Sequence, residues 1–177
     1  MILKGKKVIL RPIKIDDAKR FVKWVNDEEI AKLMGAREKK ITLKEEKEWI
    51  KNLSKKWRVE RHFAIDTTEN IHIGSVGLKD IDSKNKKASL GITIGDKNYW
   101  GKGYGKDAVK LILDYAFKSL NLHRVDLGVY DFNMRAQKLY KKMGFKIEGV
   151  ERESIFYKGK FYNKIKMGIL RKEWLKK

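Results

Sequence analysis

The sequence predicts an α/β fold of the mixed (α+β) kind: a mostly antiparallel twisted sheet of about six to seven strands with helices on both faces. Three observations predict it. Alternating and helical segments follow one another in the order βααβββαβαββ. Three strands between residues 59 and 95 are joined by short turns, which requires antiparallel neighbours. A strand, helix and strand between residues 87 and 130 require a parallel pair joined by a right-handed crossover.

Residues 6–12 alternate as a first strand. Asp16 or Asp17 can cap a helix that buries Ala18, Phe21, Val22 and Val25. Asp27-Glu28-Glu29 begins a short acidic connection with more helix behind it. Thr42-Leu43-Lys44-Glu45 is a capping box, opening a helix with Trp49, Ile50, Leu53 and Trp57 inward. Strands are expected at 59–66, 71–80 and 87–95. The main helix runs over 103–119 with Ala108, Leu111, Ile112, Tyr115 and Ala116 inward. A strand at 123–130 turns Val125, Leu127 and Val129 to one face. Asn133 caps a helix over 133–142, which Gly144 stops. Strands 145–157 and 160–170 close the chain, turning at Lys158-Gly159.

Composition bounds the function. The 177 residues suit a single domain, 1–177, with no linker, repeat or low-complexity tract. No run approaches a membrane span, and the N-terminus lacks the apolar core of a signal peptide. The expected location is therefore the cytoplasm. Absent cysteine excludes disulfides and a thiol nucleophile, and with three scattered histidines the expected metal is none. The 43 Lys and Arg against 23 Asp and Glu give +20. That field attracts anions: a phosphate-bearing cofactor, nucleic acid, a ribosome or an acidic protein. A solvated, lysine-rich surface of thermophile type fits the composition equally.

The chemistry concentrates in Tyr99-Trp100-Gly101-Lys102-Gly103-Tyr104-Gly105-Lys106. A strand precedes this glycine-rich turn and a helix starts directly behind it. Glycine admits a close ligand, and the first N–H groups of the helix lack partners. Phosphate or pyrophosphate is the natural guest. The G-x-G-x-G spacing is neither the dinucleotide fingerprint nor a P-loop.

Several segments in the right order resemble the GNAT superfamily of acetyl-CoA-dependent N-acetyltransferases, nearest its ribosomal-protein-alanine and spermidine branch. They are Ile94 to Gly105, Asn121-Leu122-His123-Arg124-Val125, and Asn133 through Phe145. The tail from Gly149 to Leu170 and the opening Val8-Ile9-Leu10-Arg11-Pro12 fit as well. The resemblance spans nearly the whole chain and is strongest from residue 88 onward.

The resemblance implies a GNAT-like fold and acetyl-CoA as co-substrate. Ile92, Thr93 and Ile94 would bind the pantetheine arm through the main chain, as a peptide adds to a sheet. The N–H groups of Gly101, Lys102, Gly103, Tyr104, Gly105 and Lys106 would hold the pyrophosphate, with charge from the Lys102 and Lys106 side chains. Trp100 stands where many members carry Gln or Arg, which puts a side-chain contact in question. Asn133 matches a pantetheine contact and Tyr140 the general acid that protonates the departing thiolate. Main-chain donors near Ile94 would stabilise the oxyanion that develops as an amine attacks. Ser89 stands where relatives often carry Glu, so the base is another carboxylate, a water chain or a shifted amine pKa. Asp27, Glu28 and Glu29 are candidates.

The acceptor expected first is a protein N-terminal α-amine, ribosomal-protein type, whose pKa of about 8 eases deprotonation. The alternative is a polyamine or other small amine, which a +20 protein repels unless acids near 27–29 and 45–48 form a receiving pocket. A non-catalytic RNA- or ribosome-binding module is the third class. Oligomeric state is open, a homodimer included.

Overall fold

The computed structural model describes residues 1–35 and 39–176. The elements are β1 (Leu3–Lys4), β2 (Val8–Pro12), α1 (Ala18–Val25), α2 (Glu28–Leu33), α3 (Leu43–Asn52), β3 (Arg61–Thr67), β4 (His72–Asp82) and β5 (Lys87–Ile94). There follow α4 (Tyr104–Asp114), β6 (Arg124–Tyr130), α5 (Met134–Met143), β7 (Lys146–Tyr157), β8 (Lys160–Leu170) and α6 (Arg171–Leu175). One eight-stranded sheet orders them β1-β2-β3-β4-β5-β6-β8-β7. Every neighbouring pair is antiparallel except β5 with β6. The mixed, mostly antiparallel sheet is as the sequence predicts. The eighth strand is the two-residue β1, too short to show alternation.

Alternate residues of β3 sort the two faces. Phe63 meets Tyr115, just past α4, with ring centroids 5.8 Å apart. Its neighbour His62 meets Trp49 of α3 at 5.5 Å. The main core therefore lies between the sheet and α4 with α5, built on Ile65, Leu78, Ile112, Leu113, Leu127 and Ile169. Each such side chain contributes about 1.5–3 kcal/mol when fully buried. A smaller core under α1–α3 holds Phe21, Trp24, Ile30 and Ile50.

The first helices depart most from expectation. There are three before β3, not two. On α1 Ala18 and Phe21 are buried as expected and Trp24 with them, while Val22 and Val25 are half-buried. Trp24 packs where a Cβ on Gly95 would stand. Trp57, expected inward, is exposed because α3 ends at Asn52 before that turn, and Trp49 and Leu53 are half-buried. Asp17 precedes α1 without capping it. Its carboxylate accepts from Arg11 at 2.7 and 2.9 Å and from Lys14 N–H at 2.7 Å. Burial alone would raise the Asp17 pKa, but these bonds hold it below the usual range.

The capping box forms as written: Thr42 Oγ1 accepts Glu45 N–H at 3.2 Å and Glu45 accepts Thr42 N–H at 2.8 Å. The main helix ends early as an α-helix. Its last turn widens to i→i+5 spacing, with Leu120 N–H on Tyr115 O at 3.0 Å. The final hairpin turns at Lys158 (φ +47°) and Gly159 (φ +78°), the two positive φ values of a type I′ turn. The closing helix α6 goes beyond the predicted order. It anchors Trp174, whose Nε1 donates to Asp114 Oδ1 at 3.1 Å.

Candidate active site

The central parallel pair is short. Lys87, Ala88 and Ser89 lie opposite Arg124, Val125 and Asp126, and beyond Ser89 and Asp126 the strands part. β5 continues along β4 and β6 along β8, so a wedge opens between them. Gly95 N–H donates to Ile73 O at 2.8 Å. By the alternation of an antiparallel ladder, Gly91 and Thr93 turn their peptide groups to β4, while Ile92 and Ile94 turn theirs to the wedge. Of the three β5 residues expected to offer main chain to a ligand, Thr93 is thus spent on the ladder. The Ile94 carbonyl is also occupied, by Trp100 Nε1 at 2.7 Å. What faces the wedge freely is the Ile92 peptide and the Ile94 N–H.

At the wide end stands the glycine turn. Gly101 (φ +74°) and Gly103 (φ +89°) both take the left-handed conformation, and Gly103 is the N-cap of α4. Nothing lies within 4 Å of where a Gly101 Cβ would be; near Gly103 there is only Lys7 Nζ, at 3.9 Å. None of the N–H groups from Gly101 to Lys106 has a protein partner among the described residues. The first helical bond into this stretch is Asp107 N–H to Gly103 O at 3.1 Å. A row of unpartnered amides at a helix N-terminus, beneath open space, fits a diphosphate. Gly105 lies deeper: a Cβ there would touch Leu139 Cδ2, Ile94 Cγ1 and Ile92 Cδ1 at 3.6–4.0 Å. That seats the first turn of α4 against both β5 and α5.

Lys102 and Lys106 are exposed. The ammonium that the fold brings onto the turn is Lys7, at the start of β2. Its Nζ donates to Lys102 O at 2.9 Å and lies 5.5 Å from the Tyr104 ring centroid. Asp107 Oδ2 fixes that strand by accepting Lys7 and Val8 N–H at 2.7 and 3.2 Å. Sequence pattern missed Lys7, because nothing local ties residue 7 to residue 103.

Asn133 caps α5, its Oδ1 accepting Ala136 N–H at 3.1 Å. The other end closes on Gly144 (φ +95°), with Phe145 N–H on Tyr140 O at 3.0 Å. Gln137, also missed, donates from its side-chain amide to Tyr130 O and Asp131 O and so ties α5 to the end of β6. Tyr140 is 6% exposed, in the same core as Ile92 and Ile94. Burial alone pushes its phenol up to about 12. It therefore keeps its proton at neutral pH. A thiol of pKa about 8.5 is the stronger acid, so burial prepares Tyr140 first as a hydrogen-bond donor.

Trp100 joins the parts. Arg135, in the first turn of α5, lies with its guanidinium carbon 3.5 Å from the Trp100 ring centroid. Lys97 lies 5.8 Å from the same ring and binds Asp27 at 2.8 Å and Glu29 at 2.9 Å. Glu28 is paired with Lys158 of the final hairpin. The acidic turn is thus a clasp of ion pairs, and its carboxylates are engaged. Asp126 lies directly across from Ser89 where the wedge begins, on the same sheet face. Its nearest cation is Arg124, at 3.4 Å, which itself forks onto Glu148.

The sequence matches the acetyltransferase (GNAT) domain model over residues 7–146. The chain belongs to the GNAT acetyltransferase family. It is an acetyl-CoA-dependent N-acetyltransferase. An uncharacterized N-acetyltransferase, p20 of Bacillus licheniformis, is 29% identical over 95% of both chains. The spermidine N(1)-acetyltransferase of Escherichia coli K12 is 34% identical over 66% of this chain and 61% of its own. A crystal structure of Vibrio cholerae spermidine N-acetyltransferase with CoA and spermine superposes at TM-score 0.87. It is 28% identical and covers 95% of this chain and 98% of that one. Among the described residues no group of His, Cys, Asp or Glu is placed to hold a metal, and no helix is long and apolar enough to cross a membrane.

Proposed function

We propose that the protein acetylates a small alkyl amine of the polyamine class. The observation that carries this is the likeness, over nearly the full length, to a spermidine acetyltransferase solved with CoA and spermine. The protein N-terminus, expected first from charge, has no comparable support. The +20 charge counts less than it promises, because exposed charges more than about 8 Å away are largely screened at physiological salt.

In this reading the amides of Gly101–Lys106 hold the diphosphate and the Ile92 and Ile94 peptides align the pantetheine arm. The bound co-substrate supplies an activated acetyl group. The Ile94 N–H is the donor placed for the acetyl oxygen. Tyr140 donates toward the departing sulfur. Asp126, next to Ser89, takes the proton that the attacking ammonium must lose. An acceptor panel tests the proposal: acetyl-CoA turnover with spermidine, spermine, monoamines and peptides bearing a free α-amine. Polyamines should give the highest kcat/KM; a peptide above them would overturn the assignment.

A further inference from the structure

A cationic acceptor needs a surface that welcomes an ammonium. Here the acidic turn does not offer one, since Asp27 and Glu29 hold Lys97 and Glu28 holds Lys158. Two further carboxylates nearby are also engaged. Asp131 accepts Asn163 N–H at 3.0 Å, and Glu151 pairs with Lys166 at 3.1 Å.

Aromatic faces are a different resource. Tyr130 ends β6 and stacks on Phe132, with centroids 5.4 Å apart and planes at 12°. Phe132 stands edge-on to Tyr162 of β8 at 4.9 Å and 81°. Their backbone is held firmly: Asp131 and Asn163 exchange hydrogen bonds, and Gln137 grips Tyr130 O and Asp131 O. The three rings are half-buried, which strengthens attraction to a cation relative to full exposure.

The cluster already holds an ammonium. Lys32 of α2 places Nζ 4.8 Å from the Phe132 centroid and 5.6 Å from that of Tyr162. No carboxylate pairs with Lys32 among the described residues. Lys160 approaches Tyr162 as well, at 5.5 Å. Tyr130 lies four residues along β6 from Asp126 on the same face, about 13 Å at strand spacing.

We propose that Tyr130, Phe132 and Tyr162 form a cation-binding subsite for the distal ammonium of an alkyl di- or polyammonium acceptor, and that Lys32 is an internal occupant the acceptor must displace. The inference rests on the small-amine reading and names the group that would recognise such a substrate. It also explains how a strongly basic protein receives a polycation: ring quadrupoles attract it where Asp27, Glu28, Glu29, Asp131 and Glu151 are already engaged.

Two variants act in opposite directions. Lys32→Gln removes the ammonium lying over Phe132 while Lys160 remains near Tyr162, and spermidine KM should fall roughly threefold. Lys40→Gln removes a charge from an exposed residue and controls for net charge. Phe132→Leu leaves charge unchanged, and spermidine KM should rise several-fold while KM for propylamine and for acetyl-CoA holds. Calorimetry with spermidine, in the absence of acetyl-CoA, follows the same proteins independently of turnover. Spermidine turnover indifferent to both variants overturns the subsite and leaves the small-amine reading standing. No spermidine turnover, with calorimetric binding that Phe132→Leu weakens and Lys32→Gln tightens, overturns that reading and supports the subsite. Equal effects of Lys32→Gln and Lys40→Gln reduce Lys32 to one charge among many and overturn its role as occupant.

Discussion

The two sides of the wedge are built from different material. On the side proposed for the acetyl donor the groups on offer are main-chain amides, set by two left-handed glycines and the start of α4. On the side proposed for the acceptor they are side chains gathered from α2, the β6–α5 turn and the final hairpin, where cations already sit on carboxylates and ring faces. A main-chain site tolerates varied side chains but not a changed φ. A side-chain site keeps its backbone while its chemistry drifts. Substitutions should therefore separate the two sides sharply.

The largest effect is expected at Tyr140, the proposed proton donor to the departing sulfur. Tyr140→Phe should lower kcat about 100-fold or more, as loss of a general acid does, with acetyl-CoA affinity nearly unchanged in calorimetry. An unaltered chemical step in single-turnover kinetics would remove Tyr140 from the acid role. The same variant sharpens the meaning of burial. A folded phenol at about 12 against about 10 unfolded favours the native state fully below pH 10, and that contribution is lost as pH rises toward 12. Wild type should lose roughly 2–3 kcal/mol over that window relative to Tyr140→Phe. Parallel denaturation curves for the two proteins from pH 9 to 12 would contradict the burial.

Gly103→Val tests the donor side alone. Forcing a β-branched residue to φ +89° costs about 1–3 kcal/mol, and its side chain enters the space above the amides. Acetyl-CoA affinity should fall roughly 10- to 100-fold. Gly149→Val, at a position with an open Cβ direction, should leave it unchanged. Retained affinity in Gly103→Val would mean that the diphosphate binds elsewhere.

What was legible in the sequence follows the same division. The glycine turn, the Asn133 cap, the Gly144 stop and the Lys158-Gly159 turn are local conformational demands, and each appears in place. The wedge itself leaves no local mark: nothing in Ser89 or Asp126 announces that their strands part there. Trp57 is exposed and Trp24 buried because helical periodicity does not say where α3 ends or which ring meets Gly95. The clasp of Lys97 with Asp27 and Glu29 joins residues about 70 positions apart. Charge patterning alone reads those acids as a solvated turn.

The smallest effect is the one that the sequence could not suggest. Lys7 reaches the glycine turn from β2, and its strand is pinned to α4 by Asp107. In the proposed site a single exposed ammonium would add to affinity that comes mainly from amides. Lys7→Ala should raise the acetyl-CoA KM about two- to fivefold with kcat unchanged, the pattern of lost uniform binding. The deficit should shrink as salt screens the charge. Lys7→Arg should restore affinity, since the charge returns at the same reach. If Lys7→Ala instead lowers kcat alone, Lys7 acts by orienting α4, and the proposed donor side rests on its amides without help from that ammonium.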